Sequence, residues 1–222
     1  MRRIFLMIPL LTLLVHSPVL AEDALSNILQ GIQNRYGKTS GLSVPYTRDV
    51  MTRSMSMLGA QAKGDLASGI IHFKSPHFLR LDQEKPAMET IIANNDILWW
   101  YIPHKKEAHR YKAKDFGREL RLLSDIFRGL AEVRDSFQVQ LQEKDDKGDD
   151  KIVLVPDPPW QEINRIILTV SPGHEIRSVR IFNALGSVTR FNLGAFTLGK
   201  IFEKGFFEFV APPGVNVIAE SS

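Results

Sequence analysis

Residue types that could catalyse a reaction or bind a metal are scattered along this sequence. His72 and His77 are five residues apart, as are His104 and His109. This spacing differs from the i,i+4 pair that places two metal ligands on one face of a helix. The chain also has no cysteine that could complete a zinc site. We therefore expect no metal site, and we expect these histidines to lie at the surface.

Candidate nucleophiles and acid–base pairs are equally weak. Ser187 follows Gly186 in a predicted hairpin turn, whereas a nucleophile elbow needs a strand-to-helix turn. Two pairs of adjacent aspartates occur at 145–146 and 149–150, within one charged turn that we interpret as a solvated hairpin tip. No glycine-rich phosphate loop is present. The residues thus predict no catalytic activity and no cofactor.

The N-terminus has the pattern of a secretory signal peptide. Arg2 and Arg3 precede an apolar run, Ile4–Val15, that is shorter than the roughly 20 residues needed to span a bilayer. Val19 and Ala21 place small residues at the −3 and −1 positions of a cleavage site. We predict a signal over residues 1–21, one domain over 22–222, and export to the periplasm.

Composition argues against nucleic acid as a partner. The formal net charge is +3, and loss of Arg2 and Arg3 with the signal lowers it to +1. Binding of a phosphate backbone requires clustered Lys and Arg, which the mature sequence lacks. A second long apolar segment is also missing, so we expect a freely soluble monomer.

Two segments show helical periodicity. The first follows a candidate N-cap at Asp23 and ends before Gly37; its apolar residues are Leu25, Ile28, Leu29, Ile32 and Tyr36. The second spans Gly117–Leu130 and places Leu120, Leu123, Phe127 and Leu130 on one stripe. Each helix therefore has one apolar side to bury.

The rest of the chain predicts a mainly β fold. Segments of alternating polarity are separated by turn residues, and a loose Met-rich hairpin tip is expected over Met51–Gly59. The strand candidates are Leu42–Tyr46, Gly64–Lys74, Phe78–Leu81, Met88–Ala93, Ile97–Ile102, Phe137–Leu141, Lys151–Val155, Ile163–Val170, Ile176–Phe182, Val188–Leu198, Phe206–Val210 and Val215–Ile218. A sheet of about ten antiparallel strands must curl. The two helices can cover its concave side, which gives a half-barrel with a helical lid.

Several motifs along the chain resemble those of one known family. They read Gly69-x-Ile71-x-Phe73-Lys74-x-Pro76-x-Phe78-x-Arg80, Ile91-Ile92-Ala93-Asn94-Asn95, Leu98-Trp99-Trp100-Tyr101-x-Pro103, Leu154-x-Pro156 and Phe207-x-Phe209-x-x-Pro212-Pro213-Gly214-Val215-x-Val217. In order and spacing, the sequence is similar to the LolA family of periplasmic carriers of outer-membrane lipoproteins. The resemblance implies an unclosed β-barrel capped by α-helices, and no catalysis.

The resemblance also implies a function and partners. A LolA carrier receives lipoproteins from an inner-membrane ABC transporter, shields their acyl chains in an apolar cavity, and passes them to an outer-membrane receptor. That receptor is itself a lipoprotein, and a chain without cysteine cannot carry its acylated cysteine. We therefore expect the soluble carrier. The alternatives are a carrier of another periplasmic lipid or glycolipid, or a sensor with the same fold.

The site residues follow from strand alternation. Phe73, Leu79 and Leu81 share one parity, if the Ser75-Pro76 break preserves the register, and Arg80 then points outward. We expect the cavity to be lined by Tyr46, Ile71, Phe73, Leu79, Leu81 and Trp100, and the lid to contribute Leu120, Leu123 and Phe127. The family places a lid-latching arginine just before the motif proline, where this chain has Ser75. The latch is therefore expected to differ here.

Overall fold

One curved, unclosed β-sheet makes up most of the molecule. The computed structural model describes residues 18–57, 64–94, 96–112 and 118–219, and leaves out the side chains of 18–21, 56 and 118–121. The strands are β1 (Gly41–Met51), β2 (Asp65–Lys74), β3 (Phe78–Lys85), β4 (Glu89–Ala93), β5 (Ile97–Ile102), β6 (Glu107–Lys112), β7 (Phe137–Gln142), β8 (Asp150–Pro156), β9 (Ile163–Val170), β10 (Ile176–Asn183), β11 (Val188–Leu193), β12 (Thr197–Leu198) and β13 (Asn216–Ala219).

The strand order places β1 near the middle of the sheet. The order is β13-β6-β5-β4-β3-β2-β1-β11-β10-β9-β8-β7, and β12 also pairs with β1. β7 and β13 are the two edges of this path, which is why the barrel stays open within the described residues. The pairs are antiparallel except β13 with β6, which is parallel. The sheet is therefore antiparallel as predicted, apart from this one pair at its edge.

Helices cover one side of the sheet, where residues of the first, third and fourth helices join the buried cluster. They are α1 (Pro18–Tyr36), α2 (Arg53–Met57), α3 (Arg118–Phe127) and α4 (Val133–Ser136). α1 is already helical at Pro18, upstream of the predicted N-cap Asp23, so the prediction of that cap position was wrong. No helix in the described ranges is both long and apolar enough to cross a bilayer.

α1 is anchored through its predicted apolar stripe. Leu25, Ile28, Ile32 and Tyr36 are all buried. The Tyr36 hydroxyl accepts a hydrogen bond from the backbone N–H of Ile176 at 3.1 Å. Burial raises the pKa of Tyr36 above its ordinary value. This contact ties the C-terminal end of α1 to the start of β10.

The predicted strand Val188–Leu198 is divided in two. Tyr46 pairs with Leu193, and Ser43 pairs with Thr197 farther along β1. Pro45 lies between these positions and has no N–H to donate to the ladder, although its carbonyl accepts from Gly194 N at 2.8 Å. The ladder is therefore interrupted there, which separates β11 from β12.

The C-terminal segment covers the outer side of the sheet rather than adding the predicted strand Phe206–Val210, which was wrong. Phe206 and Phe207 lie in a turn. The segment instead packs rings against the sheet: Phe207 on Phe78, and Phe209 on Trp99 and Tyr101. The segment is therefore held by burial of these rings and not by pairing with a strand.

Candidate functional site

The inner face of the sheet is the side that carries the apolar core. Residues paired across neighbouring strands point to the same side, so the register defines rows of side chains. One row runs Leu42, Phe73, Leu79, Ala93, Leu98, and the next runs Val44, Ile71, Leu81, Ile91, Trp100. The register therefore confirms that Phe73, Leu79 and Leu81 share one face across the Ser75-Pro76 turn.

α3, the helix predicted to act as the lid, packs over these rows. Its described apolar side chains are 1% exposed or less: Leu122, Leu123, Ile126 and Phe127. The Phe127 ring lies 6.0 Å from the ring of Phe73 and 6.2 Å from that of Phe196. Leu120 lies on the same helix, but its side chain is outside the described part of the structure. The lid thus inserts its apolar side chains into the inner face.

The structure brings most of the predicted site residues into one buried cluster. Seven of the nine belong to it: Tyr46, Ile71, Phe73, Leu79, Leu81, Leu123 and Phe127. Trp100 is on the same face but is only half-buried. Its Nε1 donates to Glu89 Oε2 at 2.9 Å, and its ring packs on His109. Trp100 therefore lies at the margin of the cluster.

The second half of the sheet supplies inner-face residues that we did not single out from the sequence. Ile152, Leu168 and Val179 are fully buried and belong to the same cluster, as do Ile166 and Phe191. Their strands were predicted, but alternation alone does not show which parity faces inward. Only the pairing of β1 with β11 brings this half against the lid.

A groove of about 530 Å³ opens beside the lid. It lies between the C-terminal ends of α1 and α3 and the turn between β2 and β3. Its lining includes Tyr36, Phe73, Ser75, Pro76 and Phe127. Ser75, the position where the family has its arginine, therefore lies at the seam between lid and sheet.

The ends of α1 and α3 touch where both have a glycine. Gly129 adopts a left-handed conformation with φ of 83°. A Cβ at Gly129 would lie 2.9 Å from Gln33 Cα and 3.0 Å from Gly37 N. Because only glycine fits this approach without strain, Gly129 sets how closely the lid docks against α1.

The outer face of the same strands is polar and partly covered. Arg80 points outward as predicted, and its Nη1 donates to Phe206 O at 3.0 Å. His72 is half-buried rather than at the surface, because the rings of Phe202 and Phe206 pack edge-on against it. Within the described residues, no three His, Cys, Asp or Glu side chains are grouped as metal ligands would be.

Comparison with known proteins agrees with this geometry. The family described as "Outer membrane lipoprotein carrier protein LolA" matches residues 57–210, which is more than half of the chain. The chain belongs to the LolA family. Membership accounts for the unclosed sheet and its helical cover.

Individual relatives are more distant. An outer-membrane lipoprotein carrier protein from Actinobacillus succinogenes is 35% identical over 99 residues, which cover 45% of this chain and 43% of that protein. The match thus reaches less than half of that relative's length. A carrier of the same name from Psychromonas ingrahamii is 21% identical over 191 residues, which cover 85% of each chain.

A solved structure shows the same fold. The crystal structure of an uncharacterized conserved protein from Thermus thermophilus superposes with a TM-score of 0.55 at 9% identity. The superposition covers 89% of this chain and 99% of that one. The LolA-type architecture is therefore common to proteins with little sequence in common.

Proposed function

We propose that this LolA-family chain is a periplasmic carrier that shields the acyl chains of lipoproteins. The single observation that carries the proposal is the apolar inner face of the sheet, over which the apolar side of the amphipathic helix α3 packs. The relatives named as outer-membrane lipoprotein carriers support the choice of cargo. Neither the family nor the site suggests a reaction, so we expect no catalysis and no cofactor.

Exchange of contacts explains how such a carrier could bind and release its cargo. Shielding apolar surface from water contributes about 25 cal/mol per Å². In the closed protein, Leu123 and Phe127 already cover Phe73 and its neighbours. An entering acyl chain would replace these lid contacts, and so only the difference between the two sets of contacts would stabilise the complex. A small difference suits a carrier that must also release.

We propose that the groove beside the lid receives the distal ends of the acyl chains. Phe73 and Phe127 line it, and both also belong to the buried cluster. An acyl chain in the groove would therefore contact Phe73 and Phe127, which form the edge of the apolar interior. Displacement of α3 would then extend the groove along the inner face.

Further steps of the proposed route rest on the family. We propose that residues 1–21 direct export and that residues 22–222 form the mature, monomeric, single-domain carrier. Its partners would be acylated lipoproteins, an inner-membrane ABC transporter that releases them, and an outer-membrane receptor that accepts them.

Mass spectrometry of material that co-purifies with the periplasmic protein tests the cargo. We expect triacylated lipoproteins. Recovery of free lipid or glycolipid instead would contradict the lipoprotein assignment and would favour the alternative of a carrier or sensor for another lipid.

Substitution of Gly129 tests the lid. A Gly129→Ala change should loosen the docking of α3 on α1, because alanine is strained at positive φ and its Cβ would contact Gln33. We expect a loss of about 1–2 kcal/mol in the free energy of unfolding together with faster uptake of a fluorescent triacylated lipopeptide, measured by stopped flow.

Gly148 offers a matched control. It has a φ of 79°, and no atom lies within 4 Å of the position that a Cβ would take there. Gly148→Ala should therefore carry the backbone strain without disturbing the lid. Equal uptake rates for the two variants would show that α3 does not gate binding.

A further inference from the structure

One end of the inner face is polar. The register across β1 to β4 aligns Tyr46, Gly69, Gln83 and Glu89 in a single row. Arg48 follows two residues after Tyr46 on the same side of β1. The rows at Ile71 and Phe73, by contrast, are apolar across the same strands. The inner face thus changes from apolar beneath the lid to polar at the Tyr46 row.

Two hydrogen-bond donors in this region are unpaired as far as the described part of the chain shows. Among the described residues, three buried side-chain polar atoms are unpaired: the Tyr46 hydroxyl, Arg48 Nε and Asp49 Oδ1. The first two lie on the inner face, and Tyr46 is only 3% exposed. Because buried polar groups nearly always have a partner, a buried hydroxyl without one suggests that its partner arrives with a ligand.

The neighbouring polar groups are already engaged. Arg48 Nη2 donates to Gln83 Oε1 at 3.4 Å, and Gln83 Nε2 donates to Ala87 O at 3.0 Å. Glu89 Oε2 accepts from Trp100. The donors left to bind a ligand are the Tyr46 hydroxyl and Arg48 Nε. A ligand at this row must therefore bring an acceptor oxygen.

Local charge favours a neutral acceptor over an anion. Burial raises the pKa of Tyr46 to about 12, so its hydroxyl stays protonated and can donate at neutral pH. The carboxylates of Glu89, Asp82 and Glu84 oppose the effect of the Arg48 charge on this hydroxyl. An ester or amide carbonyl fits this balance better than a free carboxylate or a phosphate.

We propose that Tyr46 and Arg48 donate hydrogen bonds to the ester carbonyls that join two of the acyl chains to the glyceryl group on the lipoprotein's N-terminal cysteine. This inference rests on the proposed carrier function and adds an orientation to it. The acyl chains would run from the Tyr46 row past Ile71 and Leu81 towards Phe73 and the lid. The distance along β1 from Tyr46 to Leu42 is roughly 13 Å at about 3.3 Å per residue.

A pair of synthetic ligands tests the proposal directly. A triacylated cysteinyl lipopeptide carries ester carbonyls, whereas its dialkyl ether analogue has the same chains without them. We expect the wild-type protein to bind the ester more tightly, by about two- to tenfold for each hydrogen bond made. Tyr46→Phe should keep only the smaller preference that Arg48 supplies, and its affinity for the ether should match that of the wild-type protein.

The outcomes separate the two levels of the proposal. If the wild-type protein binds ester and ether equally, the Tyr46 site is refuted while the carrier function stands. The same holds if Tyr46→Phe keeps the wild-type preference. If the wild-type protein binds neither ligand, the carrier function and the inference both fail.

Thermal unfolding of the empty protein provides an independent check. Tyr46→Phe should leave the Tm unchanged or raise it, because the hydroxyl has no partner to lose. Tyr36→Phe is the matched control, since its hydroxyl accepts from the Ile176 N–H and its loss should lower the Tm. A lower Tm for Tyr46→Phe would show that the hydroxyl is already paired and would overturn the inference.

Discussion

His72 is half-buried on the outer face, beneath the C-terminal segment. Its Nδ1 lies 2.8 Å from Ser43 Oγ, and its Nε2 lies 3.6 Å from Asp82 Oδ2. The rings of Phe202 and Phe206 cover it. Burial lowers the pKa of His72 below its ordinary value, and the positive charges of Arg80 and Lys200 act in the same direction, against Asp82.

This lowered pKa predicts a pH dependence of stability. The unfolded chain binds a proton at His72 below about pH 6.5, whereas the folded chain binds it only at lower pH. The stability that neutral His72 contributes to the folded protein is therefore fully present above about pH 6.5. It is lost as the pH falls through the pKa that His72 has in the folded protein. We expect His72→Asn to flatten the decrease in Tm between about pH 7.5 and 5.5. The exposed His77, changed to Asn, should keep the wild-type profile.

At the residue scale, strand parity predicted which side chains share a face. It placed Phe73, Leu79 and Leu81 together because β2 and β3 keep their register through the turn. It could not predict that the lid fills the space above them. Leu79 is 1% exposed in the closed protein. Strand parity alone suggests that Leu79→Glu would leave the fold intact. Because Leu79 is buried beneath the lid, we expect this change to destabilise the protein instead.

At the scale of secondary-structure elements, the contact between the end of α3 and the sheet determines how the lid is held. α3 ends at Phe127, and the carbonyl ends of a helix attract positive charge. Ser75 lines the groove at this end of the helix. The family's arginine at this position would thus lie near the carbonyl ends of α3, and serine leaves that interaction unmade.

Ser75→Arg should latch the lid. We expect the free energy of unfolding to rise by about 0.3–1 kcal/mol, measured by urea denaturation, and lipopeptide uptake to become slower. Ser75→Gln adds length without charge and should leave both quantities near the wild-type values. Faster uptake by the arginine variant would contradict a latching role for this position.

Element boundaries show where sequence patterns stop being informative. The helix over Arg118–Phe127 and the strands from Asp150 to Asn183 were predicted because their periodicity is regular. β6 (Glu107–Lys112) was missed because its residues are mostly charged or polar, although it pairs with β5 on one side and β13 on the other. Phe206–Val210 was misassigned as a strand because its alternating rings pack against the sheet instead of pairing with a strand.

At the scale of the whole molecule, the N-terminal boundary gives a test. Glu22 forms an ion pair with Arg134 at 2.8 Å, and the buried stripe of α1 begins at Leu25. Cleavage after Ala21 would therefore leave the packing of α1 intact. We expect the periplasmic protein to have the mass of residues 22–222. A chain that begins elsewhere, or that retains residues 1–21, would contradict the predicted signal.

The position of β1 also has a consequence for the order of folding. β1 lies near the start of the chain, yet one of its neighbours in the sheet is β11, which lies near the end. Tyr46, for example, pairs with Leu193. Contacts of such high sequence separation slow folding, because a large loop must close before they form. The centre of the sheet cannot be completed until nearly the whole polypeptide is present. A chain that threads through a narrow translocation channel would consequently stay unfolded until it emerges.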